Sequence, residues 1–310
     1  MAALLGAALA TSACQPVATP VDPSPTPTAR PAVPVSSAGP SAESQAAAAF
    51  YRRIERRLLT EGLLRRDGGG PDTAYGATEL ARNFERIALF SEYTQIGGRY
   101  VAQQSRAQLR RWDGPVRLQL HFGDSSDSAT RERDSLRVRS YVARLRRLTG
   151  HPINVVNSGG NYHVFVVSVD EQRRLGPAIS QLEPGLSRGT VREITNLDRN
   201  TYCAVYASST ADRPNTYVSA ISLIRSEHPD LMRLSCYHEE IAQGLGLAND
   251  SPSARPSIFN DDEEFALLTT HDEELLTMLY DPRLSIGMNA AQARPIIQRI
   301  ASELRPAGPV

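Results

Sequence analysis

The side chains best able to do chemistry are concentrated between Cys236 and Asp250, where His238, Glu239, Glu240, Gln243, Asn249 and Asp250 surround Gly244 and Gly246. On a helix, residues at i and i+4 share one face and can grip a single cation, and a glycine beyond the helix lets the chain turn a third ligand toward it. A frame that starts at His238 puts Ala242, which has no donor, in second place. A frame that starts at Glu239 puts Gln243 second and Asn249 third, with Gly246 at the turn and Asp250 following. As metal donors Glu239, Gln243 and Asn249 offer only oxygen, two of them from neutral amides. Such a set suits a hard divalent cation better than zinc, and only with added carboxylates or water. Glu240, placed as a general base, would then have no strongly activated water to deprotonate. The expectation is a non-catalytic, hydrogen-bonded binding site at Glu239, Gln243, Asn249 and Asp250 with no cofactor. The competing expectation is hydrolysis by Glu240 with an oxygen-ligated divalent cation.

A resemblance follows from these residues and those after them. Glu240-Ile241-Ala242-Gln243-Gly244-Leu245-Gly246-Leu247 resembles the end of the active-site helix in matrixin-type metzincins. Ser257-Ile258-Phe259-Asn260 falls where those proteins have their Met-turn, with Phe259 in place of Met, and residues 268–280 resemble their closing helix. More narrowly, the string from Glu239 to Asp250, the Ser257-to-Asp261 stretch and the run Leu279-Tyr280-Asp281-Pro282-Arg283-Leu284 resemble an uncharacterised bacterial family of lipoproteins. The resemblance covers roughly residues 115–282. It implies a zincin-like α/β (α+β) fold: a mixed five-stranded sheet, an active-site-type helix after the last strand, and an edge strand at 202–207 lining a cleft where an extended peptide can add to the sheet. It implies no established activity.

The elements that must position these residues are legible in the pattern. Residues 116–122 alternate with period two, as a strand does, and 153–156, 162–169, 202–207 and 217–224 read as four more. Asp127 or Ser128 caps a long amphipathic helix to residue 148, with Leu136, Val138, Tyr141, Val142, Leu145 and Leu148 on its apolar face. Residues 171–182 read as a helix, and Pro229 opens another that ends at 244–246. Upstream, 41–66 and 78–90 read as two helices of an N-terminal appendage with a boundary near Gln108.

Thirty-four basic residues balance thirty-four acidic ones, which argues against nucleic acid as a partner. No run approaches the roughly 20 apolar residues of a membrane span. Residues 1–13 read as a signal-peptide-like segment ending in small residues before Cys14, which resembles a bacterial lipoprotein box with Cys14 as the lipidation site. Residues 14–45, rich in Pro, Ala and Ser, read as a disordered tether, 46–108 as the helical appendage and 109–310 as the zincin-like domain. With Cys14 carrying lipid, Cys203 and Cys236 remain. In an oxidising periplasm they are expected to pair; the alternative is two unrelated buried thiols. The location expected is the cell envelope, facing the periplasm, lipid-anchored or secreted. A peptide or envelope protein is the expected partner, and the membrane is touched only through the lipid.

Other candidates carry less. His238 lies on a different helix face from the ligand-like set, and His271 reads as a cap or as a partner of nearby acids. The run Asp261-Asp262-Glu263-Glu264 reads as a solvated loop, and His121, His151, His163 and His228 are scattered. Gly123-Asp124-Ser125 follows a strand as in lipase-like hydrolases, but no Asp-x-x-His near the C-terminus supplies a base.

Overall fold

A computed structural model describes residues 39–96 and 99–306. The signal-like segment, Cys14 and most of the expected tether lie outside the described residues. In chain order the elements are α1 (Ala42–Thr60), α2 (Ala77–Ala88), β1 (Phe90–Ile96), β2 (Arg99–Arg106), β3 (Arg111–Trp112), β4 (Val116–Phe122), α3 (Ser128–Thr149), β5 (Ile153–Val156) and β6 (Tyr162–Val167). There follow α4 (Val169–Gln172), α5 (Gly176–Leu182), α6 (Arg188–Ile194), β7 (Cys203–Thr210), β8 (Arg213–Arg225), α7 (Asp230–Gln243), α8 (Thr270–Leu279) and α9 (Ala290–Leu304). Among the described residues no helix is long and apolar enough to cross a membrane.

The architecture is mixed α/β around a mostly parallel six-stranded sheet of order β3-β8-β6-β4-β5, with β7 antiparallel on β8. The five expected strands are present; β3, two residues long, is the sixth. The sheet is covered on both faces, so its central strand β6 is buried at every position. Successive side chains divide between two cores. Val164, Val166, Ala220 and Ile224 face the main core, while Phe165, Val167, Ile221 and Leu223 face a smaller one shared with α5 and α6.

Several boundaries differ from expectation for physical reasons. α1 stops at Thr60 rather than 66 because Gly62 turns the chain at φ +78°. The next residues then bond to a distant loop, with Leu64 N donating to Glu263 O (2.8 Å) and Arg65 N to Glu264 O (2.7 Å). The stretch expected as one helix over 171–182 is two, α4 and α5, because Gly176-Pro177 starts a new helix. On α3 the stripe facing inward is Asp134, Val138, Tyr141, Val142 and Leu145, while Leu136 is 63% exposed. The hairpin β1–β2 and the helices α6 and α9 have no counterpart in the sequence-based expectation.

Gly39–Val310 forms one compact unit, and Leu80, Phe84 and Ile87 of α2 belong to the same core as Trp112, Leu118 and Ile241.

Candidate functional site

α7 carries the ligand-like residues, and its placement is over-determined. Pro229 supplies no capping side chain, so Glu55 of α1 accepts from Met232 N (3.2 Å) in the first turn. Arg233 pairs with fully buried Asp134 of α3 (Nε–Oδ2 2.6 Å). At the other end Tyr162 Oη donates to Glu240 O (2.6 Å), Trp112 Nε1 to Gly244 O (2.8 Å) and Tyr280 Oη to Leu245 O (3.0 Å). Two glycines permit this closeness. A Cβ on Gly244 would strike the Tyr162 hydroxyl; Gly246, at φ +130°, would strike the Arg110 carbonyl.

The disulfide Cys203–Cys236 joins the start of β7 to α7, with Cα atoms 5.9 Å apart. Between these two elements opens a cavity of about 410 Å³. Residues 201–207 form one wall, and Glu239, Glu240 and Gln243 form the facing one. Its lining is acidic: Glu193, Glu239, Glu240, Asp250, Asp261 and Glu263 contribute carboxyls, against a single guanidinium from Arg110 among the described residues.

The expected site residues divide. Glu239, Glu240, Gln243 and Asp250 meet in the cavity, and Gln243 Nε2 donates to Asp250 Oδ1 (3.1 Å). Asn249 does not join them. It is fully buried, and its amide donates to Arg86 O of α2 and to Asp250 O, both at 2.8 Å. The third ligand-like position is therefore a tie between the post-helix loop and α2. This donor set does not fit a zinc ion of the kind the metzincin resemblance implies. Cys203, whose sulfur lies within 4.8 Å of carboxylate oxygens of Glu239 and Glu240, is held in the disulfide.

Sequence reasoning passed over Asp261 and Glu263, which read as solvated loop but line the cavity. The signal was the four-acid run itself; what was hidden was the fold that turns two of its members inward. Asp261 and Glu263 take left-handed backbone angles (φ 64° and 59°), and Glu264 between Arg65 (2.9 Å) and Arg255 (2.6 Å) anchors the loop.

The other candidates are structural. His238 stacks on Tyr141 (4.0 Å) and accepts from Leu268 N through Nδ1 (3.1 Å), with burial and then Arg144 lowering its pKa to about 3. His271 meets Asn83 through Nε2 at 3.1 Å, and its Nδ1 lies 3.6 Å from Asp272 Oδ1. His121 and His163, far apart in sequence, are paired across adjacent strands at 3.0 Å. Ser125 is bonded to Glu171 and Ser226, not to a histidine.

Burial, then the charges of Glu240 and Asp250, push the Glu239 carboxyl well above its ordinary value. Glu239 keeps some accessible surface in the cavity, yet enough protein surrounds it to strip most of its hydration. Burial likewise raises Glu263, helped by Asp261 and Asp262, and raises Asp261, helped by Asp262. The sign for stability follows. The unfolded Glu239 loses its proton from about pH 4.5 upward while the folded one retains it, so this group's contribution falls as pH rises above 4.5 toward its raised value. Glu239→Gln carries no such penalty. Urea unfolding is expected to show the variant more stable than the parent at pH 7, with the gain shrinking toward pH 4; an equal gain at both would remove the electrostatic cause.

Fold and site together define a mixed α/β protein with an acidic cleft between an antiparallel edge strand and the helix that follows the last strand. The chain belongs to the family described as a protein of unknown function (DUF2927), whose model matches residues 77–299. No curated protein matches the chain. No solved structure does either.

Proposed function

We propose that the protein is a cell-envelope lipoprotein, attached through Cys14, whose zincin-like domain holds an extended peptide in the cleft without cutting it. The single observation that carries this reading is the cavity that runs along residues 201–207, which lead into and include the first half of β7, a strand that among the described residues pairs only with β8. A peptide can add to such an edge by main-chain hydrogen bonds. The strand order supports the zincin-like reading. Counted from β4, the long strands lie second, first, third, fifth, fourth, and only the fourth is antiparallel. The disulfide supports an oxidising compartment. The absence of cutting rests on donor chemistry: Asn249 is committed to Arg86, and amides and carboxylates alone do not activate water as zinc held by imidazole does.

The test uses the full chain incubated with extended peptides, with bound material analysed by mass spectrometry and the protein by elemental analysis. Intact peptide, bound equally with and without chelator, is the expected result. Cleavage by the pure protein, or a stoichiometric metal lost on Glu239→Ala, would replace this reading with the hydrolase. The closeness of the Glu239 and Glu240 carboxylates is the observation that favours that second reading.

A further inference from the structure

We infer, resting on the peptide-groove reading, that the segment this cleft takes is cationic: an extended peptide with Arg or Lys at alternate positions, its basic side chains directed at Glu239, Asp261 and Glu263.

Charge distribution is the first ground. A chain with equal numbers of basic and acidic residues has gathered six carboxyls and one guanidinium around one cavity, among the described residues. Several acids elsewhere are matched by arginines, Glu264 by Arg65 and Arg255, Glu85 by Arg294, Asp281 and Glu303 by Arg283, and within the cavity Glu193, Glu240 and Asp250 have partners of their own. The carboxyls of Glu239, Asp261 and Glu263 have no hydrogen-bond or ion-pair partner among the described residues. Gathering like charges in a poorly hydrated space is unfavourable, and a bound cation is the partner that offsets it. The raised pKa values of all three are the same repulsion and desolvation seen through their protons.

Rigidity is the second ground. The loop bearing Asp261 and Glu263 is stapled to the segment after α1 by three main-chain bonds, the third from Ala266 N to Arg65 O, and by the Arg65–Glu264–Arg255 network. Carboxylates held in place lose little entropy on meeting a ligand.

Geometry is the third. Along an added strand, side chains at i and i+2 point to one face, about 6.6–6.8 Å apart. The face toward α7 and the acidic loop would carry the basic residues, and a guanidinium fork suits paired carboxylates better than an ammonium. A single metal ion is a poor alternative occupant: among the described residues the group of His, Cys, Asp and Glu donors within 4.8 Å of one another is Cys203, Glu239 and Glu240, and Cys203 is held in the disulfide.

Fluorescence anisotropy with the full chain tests this, using a labelled hexapeptide that alternates Arg with Val. Replacing each Arg by citrulline keeps the shape and removes the charge; methylating alternate backbone nitrogens keeps the charge and removes the donors that would add to β7. The Arg peptide is expected to bind at least about tenfold more tightly than the citrulline peptide, more weakly as salt rises, and to lose at least about tenfold on backbone methylation. The same loss is expected with Glu239→Gln, whose retained fold is checked by its unfolding curve, and with Glu263→Gln. Equal binding of Arg and citrulline peptides would overturn the charge inference and leave the groove reading standing. Undiminished binding of the methylated peptide, or no binding by any of them, would overturn the groove reading itself.

Discussion

Removing the Cys203–Cys236 bridge, by replacing both residues with Ala, is expected to cost roughly 3.5–4 kcal/mol of stability. The bridge spans 33 residues of sequence, and that loop holds most of β7, all of β8 and the first turns of α7. Cross-linking so long a segment removes a large part of the freedom of the unfolded chain. The expected loss has a second component in function, since the bridge joins the two walls of the cavity. Affinity for a groove peptide should therefore fall by more than mere destabilisation of a still-folded protein explains. Urea unfolding followed by Trp112 fluorescence gives the first quantity, and anisotropy well below the unfolding midpoint gives the second. A stability loss under about 1 kcal/mol would show that packing alone holds β7 to α7. The bridge should also resist reduction: His228 Nδ1 lies 3.6 Å from Cys236 Sγ, but burial, then Arg225 and Arg233, lower its pKa to about 3, so no imidazolium is there to favour a thiolate.

Arg233→Met should cost about 3–5 kcal/mol, because it strands the Asp134 carboxylate in the interior. Arg233 Nε meets Asp134 Oδ2 at 2.6 Å, its Nη1 donates to His228 O at 2.7 Å, and Tyr237 Oη adds a 3.2 Å bond to the same carboxylate. Arg133 and Arg137 approach only to 3.8 Å and cannot substitute fully. The pair orients α7 on α3, so the penalty falls on the helix that carries Glu239 and Glu240. In Asp134→Leu combined with Arg233→Met both charges are gone, and most of the loss should return. Chemical denaturation of the two single variants and the double variant completes the cycle. A double variant as unstable as Arg233→Met would show that the cost is lost packing and not an orphaned charge.

How much of this was legible in the chain differs from element to element. The strands from β4 to β8 announced themselves because a strand must pack its faces and so repeats with period two or as a continuous apolar run. α3 and α7 were legible from helical spacing and their caps, Asp127 and Pro229. Even there the inward face of α3 was misplaced by one side chain, because an acidic residue at 134 looks solvent-facing until Arg233 is seen beside it. The hairpin β1–β2 is polar and α6 is short, so neither period nor charge marked them, whereas α9 carries a helical spacing in Ala293, Ile297, Ile300 and Ala301 behind its cap Asn289 and was passed over.

By itself the sequence determined the local facts: that β4 to β8, α3 and α7 form, that α7 ends at Gly244 to Gly246, and that Glu239 and Gln243 share a helix face. Those follow from interactions within a few residues, which spacing encodes directly. Only the tertiary structure decided what meets what. It turned Asn249 onto Arg86, joined Cys203 to Cys236, and brought Asp261 and Glu263 from a loop that reads as solvated to face Glu239. Contacts between distant residues depend on how whole elements pack, and identical local patterns are compatible with many such packings. The acidity of the cleft is a property of that packing, present in no single segment of the chain.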